Sequence, residues 1–136
     1  MKTNGCIADY REEKERQLMK AYRKALSECR VVNLNTIFKK TADSPASRFF
    51  VSEERAAAVI SKMMRGQKPK MVSALKMQMF REILRRVQDI RSGNPTFSIY
   101  HCCVLAVNSP APKFYMTPLS VRQTIYRLKR EHSKRI

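Results

Sequence analysis

The amino-acid sequence predicts a compact, mainly α-helical fold built from an internally duplicated unit. Three observations predict it. The stretch SPASRFFVS at 44–52 returns as SPAPKFYMT at 109–117, an offset of 65 residues. Each copy is followed by apolar residues at the helical spacing i, i+3, i+4, i+7 and preceded by apolar residues at i, i+3, i+4. The chain has 136 residues and is 43% hydrophobic, enough apolar material to close a core.

The elements follow in order. A long helix is expected over 9–30, where Leu18, Met19, Tyr22, Ala25 and Leu26 share a face. A short helix over 33–42 carries Leu34, Ile37 and Phe38. A proline turn and a short extended segment at 48–51 hold Phe49 and Phe50. Ser52 is a good N-cap, and Glu53 and Glu54 favour the positive end of the helix it opens. That helix, 53–65, turns Ala56, Val59, Ile60 and Met63 inward, and Gly66 ends it. The segment GQKPK at 66–70 is a break between helices.

The second half repeats this order. A long helix over 71–91 aligns Leu75, Met79, Ile83, Val87 and Ile90. SIYHCCVLAV at 98–107 alone reads as a strand, being rich in β-formers. Its alignment with NLNTIFKKTA at 33–42 argues for a short helix instead. An extended segment at 113–116 holds Phe114 and Tyr115, Thr117 is the cap, and Pro118 suits the first helical position. The helix over 118–130 turns Val121, Thr124, Ile125 and Leu128 inward. The basic run RLKREHSKRI is expected to fray after residue 130. The units are 1–66 and 67–136, packed as one domain. Across 44–65 and 109–130, six of 22 positions are identical.

Charge bounds the function. Lys and Arg number 28 against 11 acidic residues, a net +17 spread along the whole chain. A folded domain with this much like charge repels itself unless a polyanion or an acidic partner relieves it. Nucleic acid is the commonest such partner, DNA before RNA here. An acidic protein partner would serve the same end, and a homo-oligomer is the other partner expected. The stretch MKTNGCIADYREEKER has no apolar run, so neither a signal peptide nor a membrane anchor is expected. Cys6, Cys29, Cys102 and Cys103 show no CxxC spacing and read as free thiols of a cytoplasmic protein.

Catalysis is not expected. His101 and His132 are too few for most metal or acid–base sites, and the chain has only three glycines, with no phosphate-binding loop. No metal or cofactor is called for. The short helix, turn and following helix instead have the outline of a helix-turn-helix reader. In the first copy its outward residues are Arg55, Lys62 and Arg65. In the second they are Arg122, Gln123, Arg127, Lys129 and Arg130. Arg can read guanine edges and Gln adenine. Lys39, Lys40, Arg48 and Lys113 would add contacts to phosphate. The aromatic pairs beside Arg48 and Lys113 are read as core anchors, one ring in and one partly out, with base stacking as the alternative.

The motifs SPASRFFVSEERA and SPAPKFYMT resemble phrases of small, basic, uncharacterised proteins carried by prophages and other mobile elements of gut bacteria. The resemblance covers about half of the chain and brings no catalytic or binding residues. It implies a setting in which DNA binding and particle assembly are both ordinary. The expected function is non-enzymatic binding of double-stranded DNA. The alternative is a phage or mobile-element assembly protein whose basic face meets an acidic partner or packaged genome.

Overall fold

The first decision along the chain is where each helix starts, and short polar side chains make it. Asn33 Oδ1 accepts from the Thr36 N–H at 3.2 Å, and Ser52 Oγ accepts from the Arg55 N–H at 3.0 Å. Ser73, Ser98 and Thr117 do the same for Lys76, His101 and Ser120. Each cap satisfies one of the N–H groups that a helix start leaves without a partner. A computed structural model of the chain describes residues 3–70 and 72–135, with side chains from residue 10 to residue 134 among these. Its elements are α1 (Thr3–Glu28), α2 (Leu34–Ala42), α3 (Glu53–Met64), α4 (Ala74–Gly93), α5 (Ile99–Val107) and α6 (Pro118–Arg135). No strand occurs among the described residues.

The stops are equally local. Gly66 takes φ 78°, its N–H reaches the Met63 carbonyl at 3.0 Å, and the Gln67 N–H reaches the Lys62 carbonyl at 2.9 Å. This paired arrangement closes the end of α3 and reverses the chain. At α5 the helix expected from alignment is present, against the β-preference of its residues. Cys102, Cys103, Ala106 and Val107 form its buried stripe, so packing outweighs intrinsic propensity.

Several expectations are corrected. α1 already begins at Thr3, ahead of the expected residue 9. α6 does not fray after residue 130 but runs to Arg135, through strong helix formers and an Arg127–Glu131 pair one turn apart. The segments at 48–51 and 113–116 are irregular, and Tyr115 takes φ 57°, a left-handed backbone that an extended segment excludes. Leu34, which shares the helical spacing of Ile37 and Phe38, is 43% exposed as the first residue of α2. The aromatic pairs divide as the core-anchor reading requires. Phe49 and Phe114 are buried, and Phe50 and Tyr115 are half-buried.

Two compact units form, and neither coincides with a sequence half. Unit 1 comprises residues 1–46 and 112–136, and unit 2 comprises 47–111. Unit 1 therefore holds α1, α2 and α6, while unit 2 holds α3, α4 and α5. The position 66/67, at which the sequence halves meet, lies inside unit 2. The chain leaves unit 1 after Ala46 and returns after Ala111, within the two SPA motifs. Those motifs are the crossover segments.

In unit 1, α2 packs on both α1 and α6. Its core joins Leu18, Tyr22 and Ala25 of α1 to Ile37 and Phe38 of α2 and to Val121 and Ile125 of α6. Tyr22 stacks on Phe38 at 5.8 Å, and Tyr126 meets Phe38 edge-on at 6.0 Å. Such ring pairs add about 1 kcal/mol each to the area they bury. The Phe114 N–H donates to the Ala42 carbonyl at 3.0 Å and ties the crossover to the end of α2.

In unit 2, α5 packs on α3 and α4, and α3 packs on α4. Met79, Phe80, Ile83 and Val87 of α4 meet the α5 stripe and Ala56, Val59 and Ile60 of α3. The Phe49 N–H donates to the Val107 carbonyl at 3.0 Å. Phe49 and Ala42 lie 65 positions before Phe114 and Val107, so each unit uses the same bond at corresponding positions.

Two predictions follow from these local features. An added Cβ at Gly66 meets nothing within 4 Å, so Gly66→Ala costs backbone strain alone. Chemical denaturation should read a loss of about 1 kcal/mol. Cys102 and Cys103 are fully buried, and burial, then the neighbouring Cys102, pushes the Cys103 thiol up to about 11. Cys29 is half-buried, its thiol donating to the Leu26 carbonyl at 3.0 Å. A thiol reagent at neutral pH should therefore label Cys29 in the native chain, and Cys102 and Cys103 only after denaturation, as mapped by mass spectrometry. The side chain of Cys6 lies outside the described residues.

Candidate nucleic-acid interface

A basic surface can bind a polyanion only with the charges that its own carboxylates leave free. Unit 1 holds 17 basic and 7 acidic residues, a net +10, and unit 2 holds 11 and 4, a net +7. The carboxylates neutralise particular cations. Lys39 pairs with Asp43 at 3.0 Å and Lys40 with Glu28 at 3.1 Å. Arg127 is clamped by Glu15 and by Glu131, the latter at 3.2 Å. Glu15 and Glu131 also line a cleft of about 510 Å³ with Glu12, Arg16, Met19, Leu128 and His132, so this side of α6 is not a cationic face. The Lys129 ammonium donates to the Tyr22 hydroxyl at 3.1 Å.

Of the residues expected to meet nucleic acid from α6, Arg122, Gln123 and Arg130 are exposed, with the Arg122 guanidinium 5.5 Å from the Tyr126 ring. Lys113 is half-buried with its ammonium 5.4 Å from the Tyr115 ring. In unit 2, Arg48 is occupied by its own loop. Its guanidinium donates to the carbonyls of Phe49 and Val51, both at 3.0 Å.

Arg55 and Lys62 of α3 and Arg65 at its C-cap are exposed, and none is ion-paired among the described residues. Arg55 and Lys62 stand two turns apart on one face of the helix, separated by Ala58 and Val59. The reversal at Gly66 brings Pro69 and Lys70 back against that face. Arg55, Ala58, Val59, Lys62, Pro69 and Lys70 together line a cavity of about 260 Å³. Pro69 also lines a second cavity of about 400 Å³ with Met63, Gly66, Gln67, Lys68, Met77, Arg81 and Leu84. Sequence reasoning missed Lys68, Lys70 and Arg81. The legible signal was the Gly66 stop followed by Pro69, which requires a tight return before α4.

The expected reader of consecutive helices is not formed. α2 packs on α6 and α5 packs on α3, so the helix that follows each short helix in sequence belongs to the other unit. The connections at 43–52 and 108–117 are too long for the tight turn of that motif, and each carries a proline.

Arg86 holds the second connection in place. It pairs with Glu82 at 2.9 Å, donates to Ser109 Oγ at 2.9 Å and to the Pro110 carbonyl, and sits 4.9 Å from the Phe49 ring centre. Among the described residues no three His, Cys, Asp or Glu side chains converge on a metal-sized site. No helix among them is long and apolar enough to cross a membrane.

The Glu82 carboxyl is hydrogen-bonded first by Arg85 and then by Arg86, and is held below the usual carboxylate range against the opposing effect of burial. A lowered carboxylate stabilises the fold above its unfolded pKa, and that stability is lost as the pH falls through the folded value. Glu82→Gln should therefore melt about 3 °C below the parent chain at pH 7. The two melting temperatures should converge below the carboxylate range in acid. An unchanged gap there would exclude ionisation as its cause.

The chain matches no protein-family model, no curated protein and no solved structure.

Proposed function

We propose that this chain binds nucleic acid without catalysis, as double-stranded DNA gripped through its phosphates. One observation carries the reading. Arg55, Lys62, Arg65, Lys68, Lys70 and Arg81 lie along α3 and around its return loop with no ion pair among the described residues. A net charge of +17 adds a long-range field that draws a polyanion in. Arg122, Gln123 and Arg130 on α6 supply a second exposed group in the other unit. The internal duplication read from the sequence belongs to the same proposal. It places one third helix, α3 or α6, in each unit. The setting implied by the motifs is a mobile-element product acting in the cytoplasm.

The test is a salt titration of binding to duplex and single-stranded DNA of random sequence. Six phosphate contacts should lower the affinity about 10³-fold between 50 and 200 mM salt. Arg55→Ala and Arg122→Ala should each weaken binding to all sequences alike and reduce the salt slope by about one. An absence of binding at low salt would sink the proposal.

A second reading, assembly through an acidic or identical partner, is favoured by one surface. Val31 is 81% exposed and Val32 66%, beside Leu34 in the connection between α1 and α2. Light scattering that shows concentration-dependent oligomers, abolished by Val31→Ser with Val32→Ser, would select it.

A further inference from the structure

We infer that the cavity between α3 and the 66–70 loop is a phosphoryl-binding pocket, with Arg55, Lys62 and Lys70 as its cationic walls. The inference rests on the nucleic-acid reading and assigns the residues that seat a backbone phosphate. Four observations support it.

First, the shape is built by the fold. Arg55 and Lys62 project from one face of α3, and the small Ala58 between them leaves a hollow. Gly66, with its left-handed backbone, turns the chain so that Pro69 and Lys70 close the open side. The cavity of about 260 Å³ is roomy for one phosphoryl group and its water.

Second, its charge is uncompensated. Arg55, Lys62 and Lys70 have no ion pair among the described residues, while Lys39, Lys40, Arg85, Arg86 and Arg127 all have one. No carboxylate lines the cavity. Three like charges around a concave surface repel one another, and an anion between them reverses the sign of that energy.

Third, the corresponding positions in unit 1 do not carry the same free charges. The position 65 residues after Lys62 is Arg127, which Glu15 and Glu131 neutralise. The position 65 after Arg55 is the uncharged Ser120. Two of the three cationic walls thus have no free counterpart among the described residues of unit 1, so the hollow does not follow from overall basic composition alone.

Fourth, the walls match phosphate chemistry. Arg offers a planar fork of N–H donors, and the two Lys ammonium groups act as mobile point charges. Pro69 has no N–H and stiffens the loop that carries Lys70, which lowers the entropy lost when the pocket fills.

The experiment compares two charge-matched double variants of the full chain. Lys62→Gln with Lys70→Gln alters the pocket, and Lys24→Gln with Lys134→Gln removes two exposed charges of unit 1. Binding of random duplex DNA and of inorganic pyrophosphate is measured by calorimetry, with circular dichroism and melting to establish folding. The pocket variant should lose about tenfold in DNA affinity and about two from the salt slope, and should no longer bind pyrophosphate. The unit 1 variant should lose less than half as much on a logarithmic scale and keep pyrophosphate binding.

Equal losses of DNA affinity in both variants, with pyrophosphate binding unchanged, would overturn the pocket and leave the nucleic-acid reading standing. Pyrophosphate binding lost only in the pocket variant, with no DNA binding by any form, would uphold the pocket and remove the DNA reading. Should the double variant fail to fold, Lys70→Gln alone, in the exposed loop, gives the same comparison against Lys24→Gln.

Discussion

Everything else in this structure depends on how the third helix of each sequence half is buried. α3 follows α2 along the chain but finds its cover on α4 and α5, and α6 follows α5 but finds its cover on α1 and α2. Two backbone hydrogen bonds mark the arrangement, Phe49 N–H to the Val107 carbonyl and Phe114 N–H to the Ala42 carbonyl. Each secures a crossover segment to the last turn of a short helix, where a carbonyl would otherwise lack a partner. The buried rings Phe49 and Phe114 then anchor those segments, and the third helices start a few residues later at Ser52 and Thr117. Neither half has a core of its own without the helix supplied by the other.

The same arrangement sorts the charges. With 11 acidic residues against 28 basic ones, carboxylates can hold only a minority of the cations. Most of these pairs stay within one helix, and a few act at joints between elements. Glu28 meets Lys40 between α1 and α2, Glu15 meets Arg127 between α1 and α6, and Glu82 orients Arg86 onto the 109–110 turn. The cations on the outer face of α3 and in its return loop have no ion pair among the described residues, and Arg55 lies 6.0 Å from the Phe80 ring centre. The separation into structural and free cations is what lets a basic protein carry both a packed core and an open electrostatic surface.

Much of the local structure was legible because its causes are local. Ser52, Thr117 and Pro118 mark helix starts whatever the chain does elsewhere, and Gly66 marks a stop for the same reason. The core faces of α3 and α6 were legible from spacing, down to Ala56, Ile60, Val121 and Ile125. Between strand and helix at 98–107, composition pointed one way and the offset alignment the other, and the alignment was the better guide. The end of α6 is not legible in the sequence, because a basic run reads as a tail until its pairing with Glu131 is considered. Of the candidate interface, the cations of α3 were legible as an exposed helical face, but Lys70 was not, since a loop residue shows no periodicity. Arg48 and Arg127 read as surface cations, yet one binds its own loop and the other is clamped by two carboxylates.

The sequence by itself determined the helical class, the order of long, short and third helices, their caps, and the excess of positive charge. Each of these follows from interactions between neighbours in the chain or from composition alone. Only the tertiary structure decided which helix covers which, which cations are neutralised, and that the two SPA motifs are the places where the chain crosses between units. Partner choice depends on contacts between residues far apart in sequence. Two apolar stripes of similar size can exchange partners with no change in the pattern that either displays along the chain.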